Sequence, residues 1–198
     1  MKKLILASQS PRRYELLKAA GYDFQVMSVE VEEIYPDTLT DPSQIAIHLA
    51  ELKSRTAQSV IESNAVVLTS DTIVVLDDVI LGKPSDRNEA IVTLQHLSNR
   101  SHKVITAVAM AQKGSIISAF DLSTVHFNSL SRAEIEFYVD TCNPLDKAGS
   151  YGIQDWLGLC KVAKIEGSHS NIMGLPMQLT FKMLSETGIY PVGLQPSI

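Results

Sequence analysis

Apolar residues fall into short runs along the chain, separated by turn residues and by stretches with helical spacing. Residues 3–7 form an apolar run that ends at Ser-Gln-Ser-Pro, which predicts a buried strand entering a turn. Ser10 suits an N-cap and Pro11 the first helical position, and Gly21 is a typical stop signal. A helix is therefore predicted between them, followed by a strand over 24–31.

The middle of the chain predicts a long helix followed by hairpins. Apolar positions recur on one helical face from Pro42 to about residue 63, with Asp41 as the N-cap. Residues 65–76 read AVVLTSDTIVVL, which is rich in strand-forming residues and predicts a strand. Asp77-Asp78 predicts a turn that leads into residues 79–81. Further strands are predicted at 102–112, 115–127 and 157–165, and further helices at 86–97, 131–140 and 175–186.

These elements predict an α/β fold with an elongated mixed sheet and flanking helices. Helices and strands alternate in part, but the Lys113-Gly114 hairpin signal does not suit a purely parallel, doubly wound sheet. No internal repeat, low-complexity tract or linker divides the 198 residues. We therefore expect a single domain over 1–198 built as two lobes.

Net charge, cysteine spacing and the length of the apolar runs argue against several classes of function. The net charge of −5 argues against a protein that binds DNA or RNA polymers non-specifically, although a nucleotide could still bind in a basic pocket. Cys142 and Cys160 lie far apart without CxxC spacing, so we expect neither a structural zinc site nor a disulfide framework. The first apolar run is too short for a signal peptide and no stretch approaches membrane-spanning length, which favours a cytoplasmic location.

The first candidate site is Ser8-Gln9-Ser10-Pro11-Arg12-Arg13. A turn there leads into a helix whose first N–H groups are unpaired and whose dipole is positive, and arginines can grip phosphate oxygens in pairs. An ordinary N-cap with two solvated arginines explains the residues equally well. The segment is thus a hypothesis for a phosphate site.

The second candidate is Thr69-Ser70-Asp71-Thr72, which interrupts an apolar strand. A carboxylate among Val, Leu and Ile costs free energy to bury unless it is paired or bound to a metal. The alternative is an Asp at a strand end, satisfied by backbone amides. We favour a functional role for Asp71.

Three weaker candidates follow. Lys83, between Gly82 and Pro84, could reach a phosphate, but a surface turn is the simpler interpretation. The loop 146–154 combines two glycines with polar groups suited to a base edge or a metal. Glu33 lies in an acidic loop that is either solvated or a source of metal ligands. Neither GxxxxGK[ST] nor GxGxxG is present, which argues against a P-loop NTPase or a Rossmann dehydrogenase.

Four segments in this order resemble the Maf family of nucleotide pyrophosphatases. They are LILASQSPRR, TSDTIVVLDDVILGKP, PLDKAGSYGIQ and GSHSNIMGLP. The resemblance implies an α/β fold similar to that of the inosine-triphosphate pyrophosphatases, with a cleft between two lobes, and a homodimer. The DKAGSYGIQ form resembles the dTTP/UTP branch rather than the sister branch that prefers 7-methyl-GTP.

The resemblance also implies roles for individual residues. Asp71 matches the conserved aspartate that accepts a proton, and it would hold Mg²⁺ or Mn²⁺ together with Glu33. The positions tied to substrate choice are Arg12, Thr72 and Gln154, and those expected near the phosphates are Ser8, Ser10, Arg13, Lys53 and Lys83. The implied reaction splits a nucleoside triphosphate into monophosphate and pyrophosphate. A nucleotide-sensing regulator of cell division is the non-enzymatic alternative, and a phosphatase that releases orthophosphate is a third.

Overall fold

A computed structural model describes residues 2–59, 61 and 64–194 of the chain. The strands are β1 (Lys3–Ala7), β2 (Gln25–Met27), β3 (Ala65–Leu76), β4 (Val79–Leu81), β5 (Ser101–Gln112), β6 (Ser115–Phe127) and β7 (Val162–Glu166). The helices are α1 (Pro11–Ala19), α2 (Pro42–Gln58), α3 (Arg87–Leu97), α4 (Arg132–Cys142), α5 (Trp156–Lys161), α6 (His169–Ile172) and α7 (Met177–Glu186). Two short 3-10 turns, Pro144–Asp146 and Ala148–Ser150, precede α5.

The strands form a mixed sheet in the order β2-β1-β3-β5-β6-β7, with β4 paired to β3. β1 pairs in parallel with both β2 and β3, whereas β4 and β7 pair antiparallel with β3 and β6. Parallel pairing at one edge and hairpins elsewhere confirm the predicted mixed α/β fold with flanking helices.

The described residues divide into two compact units. The first unit takes its residues from Met1–Asp71, Thr106–Asp121 and Gly174–Ile198, and the second from Thr72–Ile105 and Leu122–Met173. β3, β5 and β6 therefore each contribute residues to both units. The prediction of one domain with two lobes around a cleft stays a prediction.

Each unit has its own apolar core. In the first unit, Leu4 and Leu6 of β1, Val66 and Leu68 of β3 and Leu17 of α1 are buried together. In the second unit, α3 and α4 cover the sheet, and the core is formed by Val74, Leu94, Val104, Phe127, Ile135 and Tyr138 with their neighbours. Removal of these side chains from water supplies the main favourable free energy of folding.

Most predicted helix and strand boundaries are confirmed. Asp41, Asp86 and Ser131 are the N-caps of α2, α3 and α4, and α4 carries the predicted capping box between Ser131 and Glu134. In the turn between β3 and β4, Asp77 and Asp78 both have positive φ, +48° and +65°. That conformation matches the primed turns that suit a two-residue hairpin.

Three boundaries differ from the prediction. The strand expected over 24–31 is only Gln25–Met27, because β1, its pairing partner, ends at Ala7 opposite Met27. α2 ends at Gln58, and residues 60, 62 and 63 of the predicted helix lie outside the described residues. The predicted helix over 175–186 begins two residues later, at Met177, with Pro176 at its N-cap.

The strand predicted over 157–165 is wrong in its first half. Residues 156–161 form α5, and only Val162–Glu166 pair with β6. The Cα of Gly158 lies so close to the backbone of Ile153 that a side chain would collide with it. The turn into α5 therefore has room only for glycine at this position.

Candidate functional site

Four consecutive polar residues, Thr69 to Thr72, interrupt the apolar strand β3, and the first two have structural partners. The hydroxyl of Thr69 donates to the carbonyl oxygen of Ala50 at 2.7 Å, and that of Ser70 donates to the carbonyl oxygen of Gly174 at 2.9 Å. Both side chains are fully buried, and these bonds satisfy their hydroxyls. The third polar residue, Asp71, has a charged partner instead.

Asp71 is only 6% exposed and is held by a lysine from α2. The ammonium Nζ of Lys53 lies 2.5 Å from Oδ1 of Asp71 and 2.8 Å from Oε1 of Glu33. The Glu33 side chain is far more exposed, at 42%. The ammonium of Lys53 therefore contacts two carboxylates, one buried and one open to solvent. The contact lies at Asp71, the last residue of β3 that belongs to the first unit.

The turn after β1 adds cations to this cluster. Nε of Arg13 donates to the carbonyl oxygen of Gly174 at 2.8 Å, and its Nη1 lies 3.5 Å from the hydroxyl of Ser8. That hydroxyl also accepts from the backbone N–H of Ser10 at 3.2 Å. Ser10 is the N-cap of α1, but its side chain does not cap the helix, and the first turn contains no acidic residue. The positive end of α1 therefore has no carboxylate of its own, an arrangement suited to an anion.

The pKa values of Asp71 and Arg13 depend on burial and on the charges around them. Burial raises the pKa of the Asp71 carboxyl, and the positive charges of Lys53 and Arg13 oppose that rise. Burial lowers the pKa of the Arg13 guanidinium, which Asp71 opposes and Arg12 reinforces. The segment 8–13, Lys53, Glu33 and Asp71 thus form one electrostatic cluster, although they come from four separate parts of the sequence.

The other sequence-predicted residues lie in the second unit. Thr72 follows Asp71 in β3 and is half-buried, and Lys83 is exposed just after β4. Gln154 lies in the loop before α5. The loop containing it is tied to the Lys83 turn, since the N–H of Gly149 donates to the carbonyl oxygen of Gly82 at 3.1 Å. Two motifs separated by some sixty residues are therefore adjacent within this unit.

Three residues around Gln154 were not singled out as individual site residues from the sequence. The carboxylate of Asp155 accepts from Nε2 of Gln154 at 2.9 Å and from the hydroxyl of Tyr138 at 3.0 Å. The ammonium of Lys147 lies 3.9 Å from the same carboxylate. Asp155 lies just before the segment that the sequence predicts as a strand, so the pattern gives it no distinct role, and only the structure places it at the start of α5. No sequence signal links it to Tyr138 on α4.

The two carboxylates of the first unit can be tested as metal ligands. Among the described residues, no three His, Cys, Asp or Glu side chains are grouped to hold a metal ion. Asp71 and Glu33 nevertheless contact the same ammonium, and hard cations such as Mg²⁺ bind through one or two carboxylates together with substrate phosphates. The residues thus fit a cation that arrives with a phosphorylated substrate rather than a cage made only of protein.

The sequence of the chain matches a protein-family model and named relatives over nearly its whole length. The family model described as "Maf-like protein" matches residues 3–187. The chain is 43% identical to a dTTP/UTP pyrophosphatase of Flavobacterium psychrophilum, with 92% of this chain and 93% of the relative covered. It is 45% identical to a protein of the same name from Symbiobacterium thermophilum, with 97% of both chains covered.

A solved structure is similar in fold. The Ham1 protein of Staphylococcus aureus matches 94% of this chain and 100% of its own length, with a TM-score of 0.55 and 16% sequence identity. At that identity the likeness concerns the fold alone. The part of the chain that the structure describes contains no helix with the length and apolar character needed to cross a bilayer.

Proposed function

Since the chain belongs to the Maf family, we propose that it is a nucleoside-triphosphate pyrophosphatase that hydrolyses dTTP and UTP. The products are the nucleoside monophosphate and pyrophosphate. Several relatives that carry the name dTTP/UTP pyrophosphatase are 40–45% identical to this chain over nearly its whole length, which supports the same substrates here.

The observation that carries the proposal is the buried Asp71 carboxylate, whose Oδ1 lies 2.5 Å from the ammonium of Lys53 and which the positive charge of Arg13 also influences. A buried carboxylate is costly unless it is paired, and here Oδ1 accepts from the ammonium of Lys53. Hydrolysis of a phosphoanhydride needs a general base that activates water and nearby cations that stabilise the negative charge on the phosphate oxygens. Asp71 and its cationic neighbours supply both.

The chemistry follows from these groups. Asp71 accepts a proton from a water molecule as the water oxygen forms a bond to the α-phosphorus. The bond between the α-phosphorus and the bridging oxygen breaks, and that oxygen leaves with pyrophosphate. Arg12, Arg13 and Lys53 stabilise the charge that develops on the phosphate oxygens, and Ser8, Ser10 and the N-terminal amides of α1 add hydrogen bonds.

Residues of the second unit are assigned to substrate selection. Gln154 has amide groups that can both donate to and accept from a base edge. Thr72 has the same role in the proposal, as does Arg12 from the first unit. Lys83 provides a further positive charge for phosphate.

Glu33 and Asp71 are proposed to hold Mg²⁺ or Mn²⁺. When bound, such an ion supplies neutralisation of phosphate charge and orientation of the polyphosphate. The exposed position of Glu33 suits a ligand that engages only when substrate and metal enter together.

A product assay tests this proposal. Purified protein is incubated with Mg²⁺ and dTTP, UTP, CTP, dATP, GTP or 7-methyl-GTP, and pyrophosphate is measured separately from orthophosphate. Pyrophosphate and monophosphate from dTTP and UTP, lost when the metal is chelated, are expected. Preference for 7-methyl-GTP would overturn the branch assignment, and release of orthophosphate would indicate a phosphatase. Binding without any turnover would favour a nucleotide-sensing regulator.

A cytoplasmic location and a homodimer complete the proposal. Cys142 and Cys160 are both free thiols, which suits a reducing compartment. The homodimer rests on the resemblance to the family. Light scattering coupled to size-exclusion chromatography tests it, and a monomer at micromolar concentration would contradict it.

A further inference from the structure

Asp155 occupies the N-cap position of α5, yet its side chain does not cap the helix. An N-cap Asp usually accepts from the N–H groups of the first turn, which stabilises the helix. Here Oδ1 accepts from Nε2 of Gln154 at 2.9 Å and Oδ2 accepts from the hydroxyl of Tyr138 at 3.0 Å. The carboxylate is thus turned away from its own helix and towards the preceding loop.

Several contacts keep the carboxylate in this orientation. The hydroxyl of Tyr138 also accepts from the N–H of Gly152 at 3.0 Å, so one buried phenol joins the loop to the carboxylate. The ammonium of Lys147, whose side chain is only 11% exposed, lies 3.9 Å from Oδ2. A side chain at Gly152 would collide with both Asp155 and Gln154. The loop therefore has room for this arrangement only with glycine at that position.

The contact with Asp155 decides which way the amide of Gln154 faces. An ionised carboxylate only accepts hydrogen bonds, so it must meet the NH₂ group of the amide and not its oxygen. The oxygen Oε1 is then left shielded from water, with no hydrogen-bond partner among the residues that the structure describes. An unpaired buried acceptor is unfavourable, and a hydrogen-bond donor from a ligand would satisfy it.

Pyrimidine bases differ at the atom that such an acceptor would read. Uracil and thymine carry a donor, N3–H, next to the O4 acceptor, whereas cytosine has an acceptor at N3 and an amino donor at C4. An amide whose oxygen accepts from N3–H, and whose remaining N–H donates to O4, pairs with uracil and thymine. With cytosine, the amide oxygen would face the N3 acceptor and the amide N–H would face the C4 amino donor, so both contacts are repulsive. Only an amide flipped by half a turn would pair with cytosine.

We propose that Asp155 is a positioning residue that fixes the orientation of the Gln154 amide and thereby excludes cytosine nucleotides. The inference rests on the proposed function, because it assigns Gln154 to the base of a pyrimidine triphosphate. Oε1 is shielded, so the Gln154 side chain turns outward to reach the base while Nε2 keeps its bond to Asp155. A flip would place Oε1 against the carboxylate and break that bond.

The test is base selectivity rather than activity alone. The ratios of kcat/KM for dTTP over dCTP and for UTP over CTP are measured for the wild type, Asp155→Asn and Asp155→Ser. Asn and Ser can each donate or accept, so they tolerate both amide orientations, and both suit a helix N-cap. Each ratio is expected to fall about tenfold or more, as loss of one discriminating hydrogen-bond pair predicts.

Tyr138→Phe is the matched control. It removes the other hydrogen bond to Asp155 and the bond from Gly152 but leaves the contact between Asp155 and Gln154. Its selectivity ratios should stay near those of the wild type, even where the melting temperature falls. Equal loss of selectivity in Tyr138→Phe and Asp155→Asn would show that general loosening of the loop is responsible, and would overturn the proposal.

The wild type separates this inference from the proposed function. Hydrolysis of dTTP and UTP but not of cytosine nucleotides, with unchanged ratios in both Asp155 variants, would keep the function and reject the role of Asp155. Equal hydrolysis of all four nucleotides by the wild type would also reject it. No hydrolysis of dTTP or UTP would refute the proposed function itself.

Discussion

Lys53 and Asp71 form a close ion pair whose ammonium and carboxylate oxygen are 2.5 Å apart and almost enclosed by protein. A buried pair of this kind is weak evidence for stability, because the loss of hydration offsets much of the attraction between the charges. Replacement of a buried ion pair by hydrophobic residues of similar volume is often neutral or stabilising. The pair is better explained by the chemistry that a shielded carboxylate next to cations can perform.

Asp71→Asn should abolish most turnover while leaving substrate binding largely intact. Asn keeps the size of the side chain and can still accept from Lys53, but it cannot take a proton from water. Loss of a general base lowers kcat by about 10²–10⁴-fold, and KM for dTTP should change far less. Steady-state release of pyrophosphate measures both parameters.

Asp78→Asn is the control for this variant. Asp78 is exposed in the turn between β3 and β4 with φ of +65°, a conformation that Asn tolerates well. It should behave as the wild type. Near-normal turnover by Asp71→Asn would remove Asp71 from the mechanism.

Local sequence patterns predicted much of the fold because the signals were strong. Capping residues and turn signals set the bounds of α3, β3 and β6 almost to the residue. The segment 157–165 failed because its apolar run is short, and periodicity cannot distinguish a buried strand from a short helix there. In the structure, only Val162–Glu166 pairs with β6, and that pairing is a tertiary contact that local periodicity does not show.

The sequence predicts the candidate site less completely than it predicts the fold. Asp71 was noticeable from the sequence because a charge interrupts an apolar strand. Only the resemblance to the family points to its partner Lys53, since a lysine on an amphipathic helix has no distinguishing pattern. The contact between Asp155 and Tyr138 joins residues 17 positions apart through a loop, and no local rule predicts it.

Gly149→Ala should destabilise the second unit for two separable reasons. Gly149 has φ of +69°, and a Cβ there would lie 2.9 Å from Cγ1 of Val74 in the core. Gly114 has a similar φ of +85° but open space around it, so Gly114→Ala carries only the backbone strain, about 1 kcal/mol. Chemical denaturation should therefore give a larger loss for Gly149→Ala. Equal losses would mean that Val74 moves aside without cost.

Glu134 should make the protein less stable in acid. Hydrogen bonds from Lys161 and from Ser131 lower the pKa of the Glu134 carboxyl to about 2. Because the folded pKa lies below the unfolded value of 4.5, the stabilisation is present above pH 4.5 and is lost as pH falls towards 2. Glu134→Gln keeps an acceptor for the capping box but loses the charge. Its unfolding free energy should change less with pH in this window than that of the wild type, and an identical pH dependence would contradict the assignment.

His102 should cause a second loss of stability, at higher pH. Its ring is 2% exposed, its Nε2 lies 2.7 Å from the hydroxyl of Tyr151, and it packs against Phe127. Burial, with a smaller contribution from His126, lowers the pKa of His102 from 6.5 to about 4. Between these two values the unfolded chain binds a proton that the folded chain does not, so the free energy of unfolding falls as pH decreases from 6.5 to about 4.

The shift corresponds to a loss on the order of 3 kcal/mol across that window. Urea denaturation at several pH values measures it. His102→Gln should be less stable at pH 7, because it loses packing and the bond to Tyr151, but its stability should vary less between pH 6.5 and 4. His96→Gln changes an exposed histidine and should keep the wild-type pH dependence. If His102→Gln retains the full dependence, other groups must cause it and His102 is protonated in the folded protein.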